Sequence, residues 1–137
     1  MNKIREYTES DYSQVKEILS EAEMFDPVWD RKENLQKMIH RDPECILVAE
    51  MNGNVVGNIY FFDNGWEASI YRLAVKKEFQ NKGIGAQLLQ EVEKRLKKRG
   101  IREIMGFFKS DNHKLEKYYT KQGYTIGNTF RCFWKKI

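Results

Sequence analysis

The sequence predicts an α/β (α+β) fold, a single domain over residues 1–137 with a mixed central sheet of about seven strands flanked by four helices. Three observations predict it. The elements follow the order β-α-α-β-β-β-α-β-α-β-β. The β-prone stretches in the middle are joined by turns short enough to make them antiparallel neighbours. A strand, a glycine-bearing turn, a long amphipathic helix and another strand then follow each other, which requires a parallel pair with a right-handed crossover.

Each element has its own signal. Residues 3–7 read as a first strand. Thr8-Glu9-Ser10-Asp11 resembles a helix cap with an acidic first turn. Tyr12, Val15, Ile18, Leu19 and Ala22 recur at helical spacing and form the apolar stripe of the first helix. Pro27 breaks the pattern, because proline cannot continue a helix interior. A second helix is expected over about residues 31–41, with Leu35, Met38 and Ile39 inward. Asp42-Pro43 stops it, and residues 46–50 read as a strand. Asn52-Gly53 has the chemistry of a tight hairpin turn, with the returning strand over residues 55–62. Asp63-Asn64-Gly65 makes the next turn, before a strand over residues 67–75. Ile84, Leu88, Leu89, Val92 and Leu96 give the long helix one apolar face as far as about Arg99, and Gly100 suits its C-terminal cap. Residues 101–108 read as a strand and 112–122 as a helix ended by Gly123. Two last strands are expected at 124–126 and 130–137.

Composition narrows the function classes. Hydrophobic residues make up 41% and charged residues 32%, which suits a globular chain. No apolar run approaches the roughly 18 residues of a membrane span, so no membrane partner is expected. The first residues carry no apolar signal-peptide region, so a cytoplasmic location is expected. Cys45 and Cys132 are far apart and read as buried or idle thiols; with His40 and His113 equally isolated, no metal site can be assembled. The net charge of +4 is a mild excess. Much of it sits at the end of the long helix, in Lys94, Arg95, Lys97, Lys98 and Arg99, and reads as a solvated helix end complementing the dipole. A nucleic-acid surface would need basic residues interleaved with aromatics along one face, so no nucleic-acid partner is expected.

The stretch that organises the chain is residues 71–86, a β-prone Leu73-Ala74-Val75 run followed by Gln80-Asn81-Lys82-Gly83-Ile84-Gly85-Ala86. A strand, a glycine turn and a helix N-terminus together form an anion site: unpaired N–H groups and the positive end of the helix dipole face the ligand. A P-loop would need lysine and a hydroxyl after its last glycine, where Ala86 and Gln87 stand. A dinucleotide fingerprint would need a third glycine where Leu88 stands. The remaining pattern, Gln80-x-x-Gly83-x-Gly85, resembles the pyrophosphate-binding motif of the GCN5-related N-acetyltransferase (GNAT) superfamily, and the lead-in from Leu73 to Phe79 matches it as well. Glycines placed for helix packing alone are the alternative reading. A second family motif is similar to Asn112-x-x-Leu115-x-x-Tyr118-Tyr119-x-x-x-Gly123-Tyr124. Leu115 stands where a small residue is common, and Tyr124 replaces the usual phenylalanine. The element order agrees with the family fold over the whole chain.

The resemblance implies transfer of acetyl from acetyl-CoA, the cosubstrate, to a primary amine by direct attack in a ternary complex. It assigns the backbone of Leu73 and Val75, with Ala74 between them, to the pantetheine arm. Gln80, Asn81, Lys82, Gly83, Ile84, Gly85 and Ala86 fall to the pyrophosphate. It implies a splay between the strands ending at residues 75 and 108, with a backbone N–H near Val75 facing the developing oxyanion. Lys76, Lys77 and Lys82 either attract the phosphates or are solvated turn residues.

Tyr119 aligns with the tyrosine that many members place beside the leaving sulfur; a packed core tyrosine is the other reading. Asn112 either bonds the CoA arm or caps a helix. Glu67, the carboxylate of its strand, could deprotonate the amine directly or through water, or simply be exposed at a strand start. Phe107 stands where acetyltransferases of ribosomal-protein N-termini usually carry a glutamate, which speaks against a protein N-terminus as acceptor. The acceptor, a small-molecule or protein amine, is expected near residues 25–30 and the strands around Trp66 and Arg131, with Phe25, Trp29 and Tyr71 in contact. Asp26, Asp30 and Glu67 would suit a cationic amine. A CoA-binding regulatory module without catalysis is the alternative function, and a homodimer is left open.

Overall fold

The computed structural model describes residues 2–137. The chain divides into two compact units, one ending at Gly106 and the other Phe107–Ile137.

The first unit is a five-stranded sheet with three helices. In chain order it comprises β1 (Asn2–Glu6), a 3-10 turn (Glu9–Asp11), α1 (Tyr12–Glu21), α2 (Lys32–Arg41), β2 (Ile46–Met51), β3 (Asn54–Asp63), β4 (Glu67–Val75), α3 (Ile84–Lys98) and β5 (Glu103–Met105). The strands lie in the order β1-β2-β3-β4-β5. The first three pairs are antiparallel and β4–β5 is parallel, as the short turns and the α3 crossover require. Asn52 and Gly53 both take positive φ, 52° and 81°, which is the twist a two-residue hairpin needs.

Residues 55–61 of β3 are all buried. A strand reads this way only when both faces of the sheet are covered. On one face Val15, Ile18 and Leu19 of α1 and Leu35 of α2 pack on Ile46, Val48 and Tyr60. On the other, Leu88 of α3 lies against Gly57, where an added Cβ would come within 3.3 Å of it. Arg99, which caps the C-terminus of α3, stacks 5.4 Å from the Phe61 ring on that side.

At the end of α3, Lys94, Lys97 and Lys98 are exposed as expected, but Arg95 and Arg99 depart from the solvated cluster. Arg99 bonds Asp42 at 2.8 Å, Asp63 at 2.7 Å and Glu44 at 3.1 Å. Arg95 reaches Glu44 at 2.8 Å, Glu91 at 3.2 Å and Glu6 at 3.4 Å. Apart from Glu91, one turn back on α3, the carboxylates come from β1, β3 and the loop before β2, so only the fold brings those to the helix.

The second unit holds α4 (His113–Lys121), close to the helix expected over 112–122. Among the described residues the sheet has five strands rather than about seven. The stretches 124–126 and 130–137 form no strand, and the strand expected over 101–108 is only β5. A strand exists through its backbone partner, and local β-propensity does not supply one. Phe130, Phe133 and Trp134 stand exposed on this unpaired segment.

Candidate active site

The centre of the first unit is a bulge in β4. Asn58 lies opposite Ala74 and Tyr60 opposite Tyr71, so Arg72 and Leu73 together face Ile59. Arg72 takes φ 56°, unusual for a residue with a side chain. Two buried groups hold it there. The Asn58 amide donates to the Arg72 carbonyl at 2.8 Å, and the Arg72 guanidinium grips the Asp30 carboxylate at 3.1 Å. Asp30 is 2% exposed. Its carboxylate also accepts the Asp26 N–H at 2.8 Å, and the Tyr12 hydroxyl donates to its carbonyl at 3.0 Å. The loop between α1 and α2 is thus tied to the bulge. The extra residue turns the alternation over, so Tyr71 and Ala74, three apart, both pack on the α1–α2 face.

Beyond the bulge β4 has a free edge. Its ladder with β5 ends at the Ser69–Met105 pair, and no described residue of β5 pairs with residues 70–75. The backbone of Leu73, Ala74 and Val75, expected to take the pantetheine arm, belongs to this open edge. Glu67 pairs in register with Glu103, in the closed part of the ladder rather than at the splay.

The open edge runs into the glycine loop. Gln80 donates its side-chain amide to the Val75 carbonyl at 2.9 Å and ties the loop to the strand end. Asn81 and Gly83 take φ 61° and 81°, and α3 starts at Ile84. Successive backbone N–H groups in a turn of this kind can form a concavity that suits an anion. The first-turn N–H groups, Gly85 and Ala86 among them, have no partner inside the helix. Of the lysines, Lys76 pairs with Glu17 at 3.3 Å, Lys82 is exposed with its ammonium 5.5 Å from the Phe79 ring, and Lys77 is exposed as well.

On the α1–α2 face a cavity of about 410 Å³ opens beside the bulge. Of the expected acceptor residues, Trp29 and Tyr71 line it. Phe25 packs instead on the core under α1, with the Lys16 ammonium 5.3 Å from its ring. Trp66 is exposed at the β3–β4 turn. Burial pushes the Tyr71 phenol up to about 12, with Cys45 adding to it. Asp30 also reaches the cavity, but its charge is taken up by Arg72, which removes the expectation that it meets a cationic amine.

Residues the sequence reading passed over shape this region. Tyr60, Lys37, Met38, Arg41 and Arg72 line the cavity, and Asn58 holds the bulge. Two signals were available. Asn58 is a polar residue inside a seven-residue apolar run, and Arg72 a charge between Tyr71 and Leu73.

In the second unit, Asn112 caps α4, its side-chain oxygen accepting the Leu115 N–H at 3.1 Å. The Tyr119 ring is held by three aromatics. It stacks on Phe108 at 6.1 Å, and meets Tyr118 at 5.3 Å and Tyr124 at 5.7 Å edge-on. Burial raises its phenol pKa, with Tyr118 adding to the effect.

The pattern of the acetyltransferase (GNAT) family matches residues 2–124, most of the chain. The chain belongs to the acetyltransferase (GNAT) family. This GNAT chain is an acyltransferase, and the relatives it matches are named acetyltransferases. It is 30% identical over 121 residues to an acetyltransferase of Pectobacterium atrosepticum, covering 88% of this chain and 86% of that one. It is 29% identical over 126 residues to one of Yersinia enterocolitica, covering 92% and 89%. Among solved structures it resembles the PaiA N-acetyltransferase of Thermoplasma acidophilum in complex with coenzyme A. That match has a TM-score of 0.84 and 26% identity, over 95% of this chain and 93% of the other. In this chain the bulge, the open β4 edge and the glycine loop follow one another along residues 72–86.

Proposed function

We propose that this acetyltransferase moves the acetyl group of acetyl-CoA to a primary amine by direct attack in a ternary complex. The observation that supports it most is the open edge of β4 leading into the N-terminus of α3. An extended pantetheine arm carries two amides and suits an unpaired strand edge at Leu73 and Val75, as an added strand would. At the end of that edge the N–H groups around Lys82, Gly83, Ile84, Gly85 and Ala86 suit a pyrophosphate. The coenzyme A bound by the PaiA relative agrees with this ligand.

In the reaction the neutral amine nitrogen attacks the thioester carbon. An N–C bond forms, and charge gathers on the carbonyl oxygen, which a β4 N–H near Val75 stabilises. The C–S bond then breaks, its electron pair leaves on sulfur, and the proton that the attacking nitrogen sheds passes through solvent to the thiolate. An alkylammonium with pKa near 10 is not a nucleophile, so its proton must go first. Glu67 is assigned to that proton. It stands four residues from Tyr71, about 13 Å along a strand, so it works through water. Tyr119, by its place in the second motif, is assigned to the sulfur. Its raised pKa makes it a poor proton donor to a thiolate whose thiol has pKa near 8.5, so it contributes a hydrogen bond.

Thermal unfolding with and without acetyl-CoA tests the reading. A ligand that binds the folded state alone raises Tm. Saturating acetyl-CoA is expected to raise it and ATP or NAD to do much less; no shift from acetyl-CoA overturns the proposal. A shift without acetyl-CoA-dependent thiol release from any amine in a broad panel would mark a non-catalytic CoA-binding module.

A further inference from the structure

Resting on that reading, we propose that the acceptor is a small primary amine that also carries an anion, a carboxylate or a phosphate, seated in the cavity beside the β4 bulge. The cavity, at about 410 Å³, has the size of a small-molecule site. Its charges do not balance. Asp30 and Arg72 neutralise each other at 3.1 Å. Lys37 and Arg41 remain, four apart on α2 and therefore on one side of it. Both are exposed, and neither has an ion-pair partner among the described residues. Two unmatched cations on the wall of a cavity repel a polyamine and attract an anion.

A second, independent observation points to a ligand. Tyr60 lines the cavity and is 1% exposed, yet its hydroxyl has no hydrogen-bond partner. A buried orphan hydroxyl is costly, and a polar ligand atom relieves it. The walls suit the body of such a molecule. Trp29 and Tyr71 offer aromatic faces, and Met38 an adaptable apolar one. The wall is also pre-organised. Asp26 accepts the Val28 and Trp29 N–H groups at 2.8 and 3.0 Å, and the Asn34 amide donates to the Val28 carbonyl at 2.7 Å. The bulge residues Tyr71 and Arg72 border both the cavity and the open edge of β4, so an amine held by its anion lies beside the expected thioester.

The test compares amines that differ in the anion alone, in acetyl-CoA-dependent thiol release by the full chain. One pair is 4-(aminomethyl)benzoate and its amide; the other is glucosamine 6-phosphate and glucosamine. Spermidine is the polycation control. The anionic member of at least one pair should win by about 10- to 100-fold in kcat/KM, the effect of a charge-assisted contact. The pair that responds separates carboxylate from phosphate. Lys37→Gln/Arg41→Gln should collapse the ratio toward one, and Lys37→Glu/Arg41→Glu should reverse it. Equal rates within both pairs, a preference for spermidine, or a ratio that survives both variants overturns the proposal. If none of the amines turns over, calorimetric titration with the two anionic members decides: no saturable, Lys37- and Arg41-dependent binding overturns it. The acetyl-CoA shift in Tm reports separately on cosubstrate binding, so loss of that shift with anion binding intact strikes the parent reading alone.

Discussion

Arg72 shows how much one residue can be asked to hold. Its backbone sits at φ 56°, a conformation that L side chains avoid, and it persists because Asp30 and Asn58 fix both ends of the residue. Asp30→Asn keeps the shape and removes the charge. Arg72 is partly exposed and can be rehydrated, so the loss should be about 2 kcal/mol rather than the larger figure for a fully buried pair. Urea unfolding should show a lower midpoint, and an unchanged midpoint would assign the bulge to backbone pairing alone. Tyr119 is a second such residue. Tyr119→Phe keeps the ring that Phe108, Tyr118 and Tyr124 enclose and deletes the hydroxyl. If that hydroxyl meets sulfur as charge builds, turnover falls while acetyl-CoA affinity holds. The loss should be at the low end of acid assistance, about 100-fold, because burial makes the phenol a weaker acid still. Unaltered kcat makes Tyr119 a packing residue; a loss confined to affinity makes it an anchor for the cosubstrate.

At the scale of elements, the joint between β4 and α3 carries the ligand. Gly83 takes φ 81°, and a Cβ built on it meets no atom within 4 Å. A side chain there is strained by its backbone angle rather than by a clash, at about 1–2 kcal/mol. Gly83→Val should therefore leave a folded chain with a modestly lower Tm. Its branched side chain would stand over the N–H groups of the α3 first turn and hold a pyrophosphate away from them. Acetyl-CoA affinity should fall tenfold or more, by about 1.4 kcal/mol. Undiminished affinity in a folded Gly83→Val protein would place the phosphates elsewhere.

Across the first unit, the ion pairs of Arg95 and Arg99 couple the end of α3 to β1, β3 and the loop before β2. The Arg95 hydrogen bond lowers the Glu6 pKa. Burial opposes the same effect on Asp42, but the Arg99 hydrogen bonds, the Glu44 backbone N–H and the Arg99 charge together outweigh it, and its pKa falls as well. A depressed folded-state pKa contributes stability that is fully present above the unfolded values, near 4, and is lost as pH falls through the lower folded values. Unfolding free energy should therefore be flat from pH 7 to about 5 and drop below about 4. Arg99→Gln should make that acid drop shallower and cost about 1–2 kcal/mol at pH 7. An acid limb identical to the parent would mean that other carboxylates govern it.

Much of the fold was legible because its signals are local. The spacing of Ile84, Leu88, Leu89, Val92 and Leu96 determines a helix with one apolar face, and α3 begins at Ile84. Asn52-Gly53 determines its hairpin, and the strand expected over 67–75 has the bounds of β4. The glycine loop and the second motif, both short-range patterns, indicated the family. What stayed hidden depends on partners far away in the chain. The Arg95 and Arg99 cluster read as solvated, since no local pattern brings Glu6, Glu44, Asp42 and Asp63 to it. By its sequence Asp30 is a free carboxylate, and only the fold brings Arg72, 42 residues on, to neutralise it. The bulge is a register shift between two strands, and register belongs to a pair rather than to either sequence. The expected strands at 124–126 and 130–137 have the composition of strands and no backbone to pair with in the described structure. Propensity acts within a few residues, whereas burial, charge balance and register are properties of residues brought together, and tertiary structure alone decides them.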